Sequence, residues 1–300
     1  MNTYPWQVFL SIAENRSFQK TAASMNLSAS AVSHMISKLE DSCGYPLFVR
    51  NRNNIELTTN EKILMPYVVN LLKCENALDQ EILGLKETTS GIVRIAGINS
   101  AIRLWMPDIL WRFNEKYPNI KVVVMQSGNE SLREWIEKGV IDLALLDKEI
   151  IRTSPVREDS FMPMHKTPMV CLTPKDYVPL DGKVIKRDDL MSKPIIMQLE
   201  GYDYQAMEYL KEIGVSADSN FQVETDATCH TFVEHGFGFC VTSELAARCN
   251  PSDVNMYPLE KEMFVTIGLV TVYSSYMSPA ARLLRKEVFD YMTETGLMNV

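Results

Sequence analysis

Apolar residues recur at helical spacing three times within the first forty positions, and each recurrence is preceded by a residue suited to start a helix. Trp6, Phe9, Leu10 and Ala13 predict a first helix over about residues 5–15, with Pro5 tolerated in its opening turn. Ser17 has the short hydroxyl side chain that caps a helix start. Phe18, Ala22 and Met25 then share one face of a second helix, which ends near Asn26, a residue type that tolerates a left-handed backbone. Ser28 caps the third, in which Val32, Ile36 and Leu39 mark the core side. The opposite side carries Ser30, Ser33, His34, Ser37 and Lys38, small or donor-bearing groups that can enter a major groove and bond to phosphates and base edges. The plainer alternative is a three-helix packing unit with a solvated serine face.

The pattern changes after residue 45. Residues 46–48 and 55–57 predict two short strands around a polar turn at 51–54, and Thr58 with Glu61 forms a capping box opening a helix to about residue 87. Along that helix Leu64, Val68, Leu71, Glu75, Leu78, Ile82 and Leu85 alternate at spacings of four and three, the seam of a coiled coil interrupted by one charge. Pro66 should bend its first turns. The alternative is a long helix packed on its own domain. Thr88, Thr89, Ser90 and Gly91 read as a polar hinge. Beyond it, strand-like runs at 92–98, 120–126 and 141–146 alternate with helices at about 100–117 and 130–138, a βαβαβ rhythm that predicts a mainly parallel sheet covered by helices.

At this point the resemblance becomes specific. Phe9, Ile12, Glu14, Ser17, Phe18, Ala22, Ala23, Ser28, Ser30, Ala31, Val32, Ser33, Ile36, Leu39, Glu40, Gly44, Leu47, Phe48 and Arg50 follow, in fixed register, the signature of LysR-type transcriptional regulators, which the chain resembles. Softer matches extend into the body at residues 107–118, 139–144 and 233–241. The resemblance implies an α/β protein with an N-terminal winged helix-turn-helix (residues 1–58), a long linker and dimerisation helix with a hinge (59–90), and a two-lobed, periplasmic-binding-protein-like effector domain (91–300). Lobe 1 would comprise about 91–161 and 268–300, and lobe 2 about 162–267. It implies double-stranded promoter or operator DNA as a partner, a homodimer or homotetramer, and RNA polymerase as a further partner. DNA contacts are expected from Ser17, Phe18, Ser28, Ala29, Ser30, Ser33, His34, Lys38, Arg50 and Arg52. Two departures alter the reading face, Ala29 and the His34-Met35 pair, and outside it Asn53 stands where the family frequently has an Arg, with Arg52 adjacent as a partial substitute. Apolar contact from Ala29 or Met35 to a thymine methyl is one consequence.

In the body, a ligand belongs in the crevice at the carboxyl ends of strands. Ser100 is the leading candidate, since it follows the first body strand at a helix start, where its hydroxyl and free N–H groups can hold an organic anion. Asn99, Gln126, Ser127, Met197, Gln198, Thr225 and Thr228 are secondary candidates by the same topology, with Arg103 a solvent-facing cation.

Charge sharpens the partition. Residues 1–60 hold five Lys or Arg against four Asp or Glu, so the head is near +1 while the rest of the chain carries about −9 of the net −8. That head is weakly basic for a DNA binder, so phosphate contacts from a second copy are expected to matter. Catalytic readings are poor: no nucleophile elbow, phosphate loop or dinucleotide glycine fingerprint is present, and no cofactor is expected. The run 230–235, HTFVEH, has one residue too many for an inverted zinc motif, so no metal is assigned. Gly236 and Gly238 read as a close strand–helix turn. Six cysteines form no C-x-x-C pair, which with the absence of a signal peptide or long apolar stretch predicts a reduced cytoplasm and no membrane. Cys229 and Cys240 read as small hydrophobes, with thiol sensing the rarer alternative. The rival functions are a solute-binding protein for transport and, third, an enzyme.

Overall fold

The computed structural model describes residues 2–51, 54–84, 90–152, 160–199, 204–216, 221–272 and 277–300. Arg52, Asn53, Leu85, Thr88 and Thr89 therefore lie outside the described residues, as do the side chains of Arg50 and Glu61.

Three helices form the head: α1 (Tyr4–Asn15), α2 (Phe18–Ser24) and α3 (Ala29–Cys43). The expected caps are in place. Ser17 Oγ accepts from Lys20 N at 3.2 Å and Ser28 Oγ from Ala31 N at 3.1 Å, while Asn26 takes a left-handed φ of 55° between the second and third helices. On α1 the buried stripe is rotated from the expected one. Val8, Phe9 and Ile12 are buried and Leu10 and Ala13 are only partly covered, because the groove between α2 and α3 receives the 8/9/12 face. These join Val32, Ile36 and Leu47 in one cluster, each fully buried aliphatic side chain contributing about 1.5–3 kcal/mol. A two-stranded antiparallel wing, β1 (Phe48–Asn51) and β2 (Asn54–Leu57), closes the head in register Phe48↔Leu57.

The linker helix α4 (Thr59–Gly84) runs unbroken through Pro66. Its predicted seam does not form one continuous exposed row. Leu64 and Val68 pack into the head core, and Glu75 accepts hydrogen bonds from Thr3 Oγ1 and from Gln7 Nε2 (3.2 Å) on the head. The apolar side of the first turns of α4 meets the head's own core, which takes up these positions. Among the described side chains of α4, the large apolar ones left exposed are Ile63, Tyr67, Leu78 and Ile82. Farther along, Lys73 Nζ donates to Ile141 O at 2.7 Å and pairs with Asp142 at 3.6 Å, which ties the same helix to the body.

The body starts as expected: β3 (Gly91–Gly97), α5 (Asn99–Lys116), β4 (Ile120–Gln126), α6 (Asn129–Glu137) and β5 (Leu143–Asp147), with β3 parallel to both β4 and β5. The expectation of a mainly parallel sheet fails beyond this unit. The long strand β6 (Phe161–Pro174) and the returning β11 (Phe264–Thr271) pair antiparallel with each other and, in turn, with β5, β9 (Cys240–Ser243) and β10 (Val254–Pro258). A register shift between Ile267 and Gly268 interrupts the β6–β11 ladder. Strands that pass out to a second lobe and back must run against each other, so the sheet is mixed. A short helix α7 (Lys148–Arg152) follows β5, and the far lobe adds the parallel pair β7 (Met197–Gln198) and β8 (Gln222–Val223), with α8 (Arg187–Met191), α9 (Tyr204–Glu212), α10 (Asp226–Glu234) and α11 (Glu244–Cys249). The final helix α12 (Pro279–Glu294) returns to cover β3. No helix among the described residues is long and apolar enough to cross a membrane.

Candidate DNA-contacting helix and inter-lobe cleft

On α3 the residues Ala29, Ser30, His34, Ser37 and Lys38 are exposed and Ser33 is half-buried, so the expected face is presented to solvent. Ser17 and Ser28 sit at the starts of α2 and α3 with their oxygens engaged as caps, and the Ser28 and Ser30 hydroxyls are 3.0 Å apart. Phe18 is different. It packs against the head core and meets Phe48 edge-on at 5.9 Å, so its ring is held by the fold. Met35 is half-buried against the core, while Ala29 is exposed. Arg50 pairs with Ile55 in the wing backbone.

Glu40, one residue of the family pattern, also fastens the wing. Its Oε1 accepts from Leu47 N at 2.8 Å and Phe48 N at 3.3 Å, while Gly44, at φ 81°, reverses the chain between them. Glu40→Ala leaves two backbone donors without their acceptor and is expected to destabilise the head by about 1–3 kcal/mol. Urea unfolding checks this; an unchanged midpoint would mean that water replaces the carboxylate without loss.

In the body, the carboxyl ends of β3, β4 and β5 and the far lobe enclose a cleft of about 280 Å³. Asn99, Ser100, Gln126, Ser127, Gln198 and Thr225 all line it, as topology predicted. Ser100 is 4% exposed, and its hydroxyl has no partner among the described residues. Both α5 and α6 begin without a side-chain cap, so the N–H groups of their first turns are left for a ligand. Two expected residues are elsewhere. Met197 is buried in the body core, since adjacent strand residues point to opposite faces and Gln198 takes the cleft side. Thr228 Oγ1 lies 2.9 Å from the hydroxyl of Thr225, the α10 cap, and does not line the cleft. Arg103 is exposed, as expected, and its Nη1 donates to Asn250 Oδ1 at 2.6 Å.

The largest omission from the sequence reading is acidic. Asp147, Glu224 and Asp226 line the cleft, and its described lining contains no Lys, Arg or His. Asp147, 5% exposed at the end of β5, accepts from Gln205 Nε2 on α9 and from Glu149 N at 2.9 Å. Burial pushes its carboxyl up to about 6, against the pull of the Glu149 N–H. Burial also raises Asp226, with His230 and Arg103 opposing. A carboxyl raised by folding favours the folded state below its ordinary value, and that contribution is lost as pH rises through about 6.

The metal-like run is otherwise employed. His230 is buried with Nδ1 3.0 Å from Asn250 O, burial lowers its pKa, and His235 bonds Thr231 O on the surface. Cys229 and Cys240 are packed in the far lobe's apolar cluster. Gly236, at φ 77°, and Gly238, whose α-carbon faces Pro194 O, form the expected tight turn.

Comparison with known proteins agrees at both ends of the chain. Residues 5–60 match the model for bacterial regulatory helix-turn-helix proteins of the lysR family, and residues 86–293 match the LysR substrate binding domain. The uncharacterized HTH-type transcriptional regulator YvbU of Bacillus subtilis (strain 168) is 25% identical over 289 residues, covering 94% of this chain and 97% of that protein. Full-length OxyR from Pseudomonas aeruginosa superposes with a TM-score of 0.74 at 17% identity, covering 96% and 94% of the two chains. Full-length CbnR, solved with its target DNA, gives 0.63 at 15% identity, covering 97% and 100%. With the head, the linker helix and the two-lobed body all accounted for, the chain belongs to the LysR family of transcriptional regulators.

Proposed function

We propose that α3 reads operator DNA through Ala29, Ser30, Ser33, His34 and Lys38, with Arg50 and Arg52 of the wing on phosphates, and that a small molecule in the cleft controls this binding. The observation that carries the reading is the course of α4, one helix held by the head through Glu75 and by the body through Lys73. A ligand that favours one arrangement of the lobes can therefore bias the placement of the head, provided it binds the two arrangements differently. Ser100 and the uncapped starts of α5 and α6 receive an acceptor group such as a carboxylate. The exposed row Ile63, Tyr67, Leu78 and Ile82 supplies the pairing surface for a second copy. The protein acts as a regulator and not as an enzyme, and it acts in the cytoplasm, where its DNA is. The two lobes meet where β6 and β11 cross between them.

Footprinting on the DNA upstream of its own gene tests the proposal. A specific protected site is expected, and Ser127→Trp, which fills the cleft, should still protect it while a reporter fused to that promoter no longer responds to growth conditions. No specific protection overturns the DNA assignment, and an unaltered reporter response overturns the cleft assignment.

A further inference from the structure

The acidic cleft is at odds with a simple organic anion as its occupant. Anion sites recruit Arg or Lys, and among the described lining residues there is none, while three carboxylates are present. Asp147 is the most constrained of them. It lies in the wall of the cleft at 5% exposure, with Lys148 exposed beside it, Glu149 following, and Glu224 and Asp226 on the far lobe. Gln205 and the Glu149 N–H supply neutral donors to it. None of the described groups supplies a full positive charge, and a buried carboxylate without one is expensive.

The strand register places the opposite chemistry next door. Gly97 pairs with Leu145 in the parallel β3–β5 ladder, whose strands lie about 5 Å apart, so Ser100 opens α5 just past the end of β3 while Asp147 ends the neighbouring β5. On the Ser100 side are a hydroxyl without a partner among the described residues and helix starts without side-chain caps; on the Asp147 side is an anion. The site is polarised. We propose that the effector is a zwitterion of the amino-acid class, its carboxylate at Ser100 and the start of α5, and its ammonium group on Asp147 beside Gln205. This rests on the cleft being the effector site and specifies what it accepts. Asp147 then has the cation that no described residue provides, and binding requires it ionised.

Thermal shift and calorimetry on the full chain test this with the standard L-amino acids, each run beside its deaminated acid and its decarboxylated amine. At least one amino acid should raise Tm where neither truncated partner does. Its affinity should fall about tenfold per pH unit below about 6, as Asp147 takes up its proton. Asp147→Asn should abolish the shift while keeping the far-UV spectrum and cooperative unfolding of wild type, and Ser100→Ala should weaken it about tenfold, the loss of one charge-assisted bond. The proposal is overturned if no amino acid in the panel shifts Tm, if the deaminated acid or the amine binds as well, or if Asp147→Asn binds the amino acid unchanged. Ser127→Trp separates the two levels. Deaminated acids that stabilise wild type and not Ser127→Trp leave the cleft as the site and remove the ammonium group, whereas a ligand that stabilises Ser127→Trp equally well shows that the cleft itself was misassigned.

Discussion

Ser30→Glu is expected to remove specific DNA binding while leaving the head as stable as before, or slightly more so. Ser30 is exposed in the first turn of α3, where a carboxylate complements the positive helix end by about 0.3–1 kcal/mol. The same carboxylate, carried into a major groove, meets phosphates and base-edge acceptors with the wrong sign. Loss of one well-placed contact and introduction of repulsion should weaken each head by about 1–3 kcal/mol, and a paired molecule presents two heads. Fluorescence anisotropy on the footprinted site, with Tm measured in parallel, separates binding from folding. Wild-type affinity in Ser30→Glu would remove α3 from the groove. The weakly basic head makes the test sensitive, because few lysines and arginines are available to mask one added negative charge.

Gly238→Ala should give the largest stability loss of any single methyl added to the body. A β-carbon there would overlap the carbonyl oxygen of Pro194, and that oxygen already accepts from Phe239 N at 2.9 Å. Phe239 O in turn accepts from Ile196 N at 2.7 Å, so two backbone segments are zipped together where the methyl must enter. Rotamer changes cannot relieve a clash between main chains. A loss of about 3 kcal/mol is expected, with Phe239 shifted from its fully buried seat. Gly182→Ala provides the comparison: φ is +76° but its β-carbon meets nothing within 4 Å, so only the left-handed backbone penalty of about 1–2 kcal/mol applies. Denaturant unfolding of the two variants should rank them in that order. Equal losses would mean that the 194–196 segment yields.

Much of the architecture was legible because its signals are local. Ser17, Ser28 and Asn26 mark helix boundaries by their own side-chain chemistry, and the small polar face of α3 is a property of one helix alone. Signals that depend on which surface comes to meet an element were harder. The row Leu64 to Ile82 has heptad spacing, but spacing does not say whether a second chain or the head's own core will cover it, and Leu64 and Val68 went to the core. Strand ends were located well enough to find six lining residues, although the two-residue alternation of strands sent Met197 inward and left Gln198 in the cleft. Asp147 was hidden for a different reason. In the sequence it ends an apolar strand like any terminal polar residue, and its burial is created by Gln205 on α9, 58 positions later and on the other lobe.

The divided allegiance of α4 sets a rule for building hybrid sensors, in which the operator specificity of one regulator is joined to the ligand specificity of another. A splice at the wing, before α4, would strip Leu64 and Val68 from the core they fill and leave Thr3 and Gln7 without Glu75. A splice after residue 84 would take Lys73 and Gln80 away from their carbonyl partners at Ile141 and Ile92, and Glu81 from Arg282. No junction on this helix is free of both sets of contacts, because Lys73 serves the body two residues before Glu75 serves the head. Exchange of parts between such proteins must therefore carry matched partner residues across the joint, and a hybrid that transplants α4 together with Thr3 and Gln7 is the one that preserves the mechanical link.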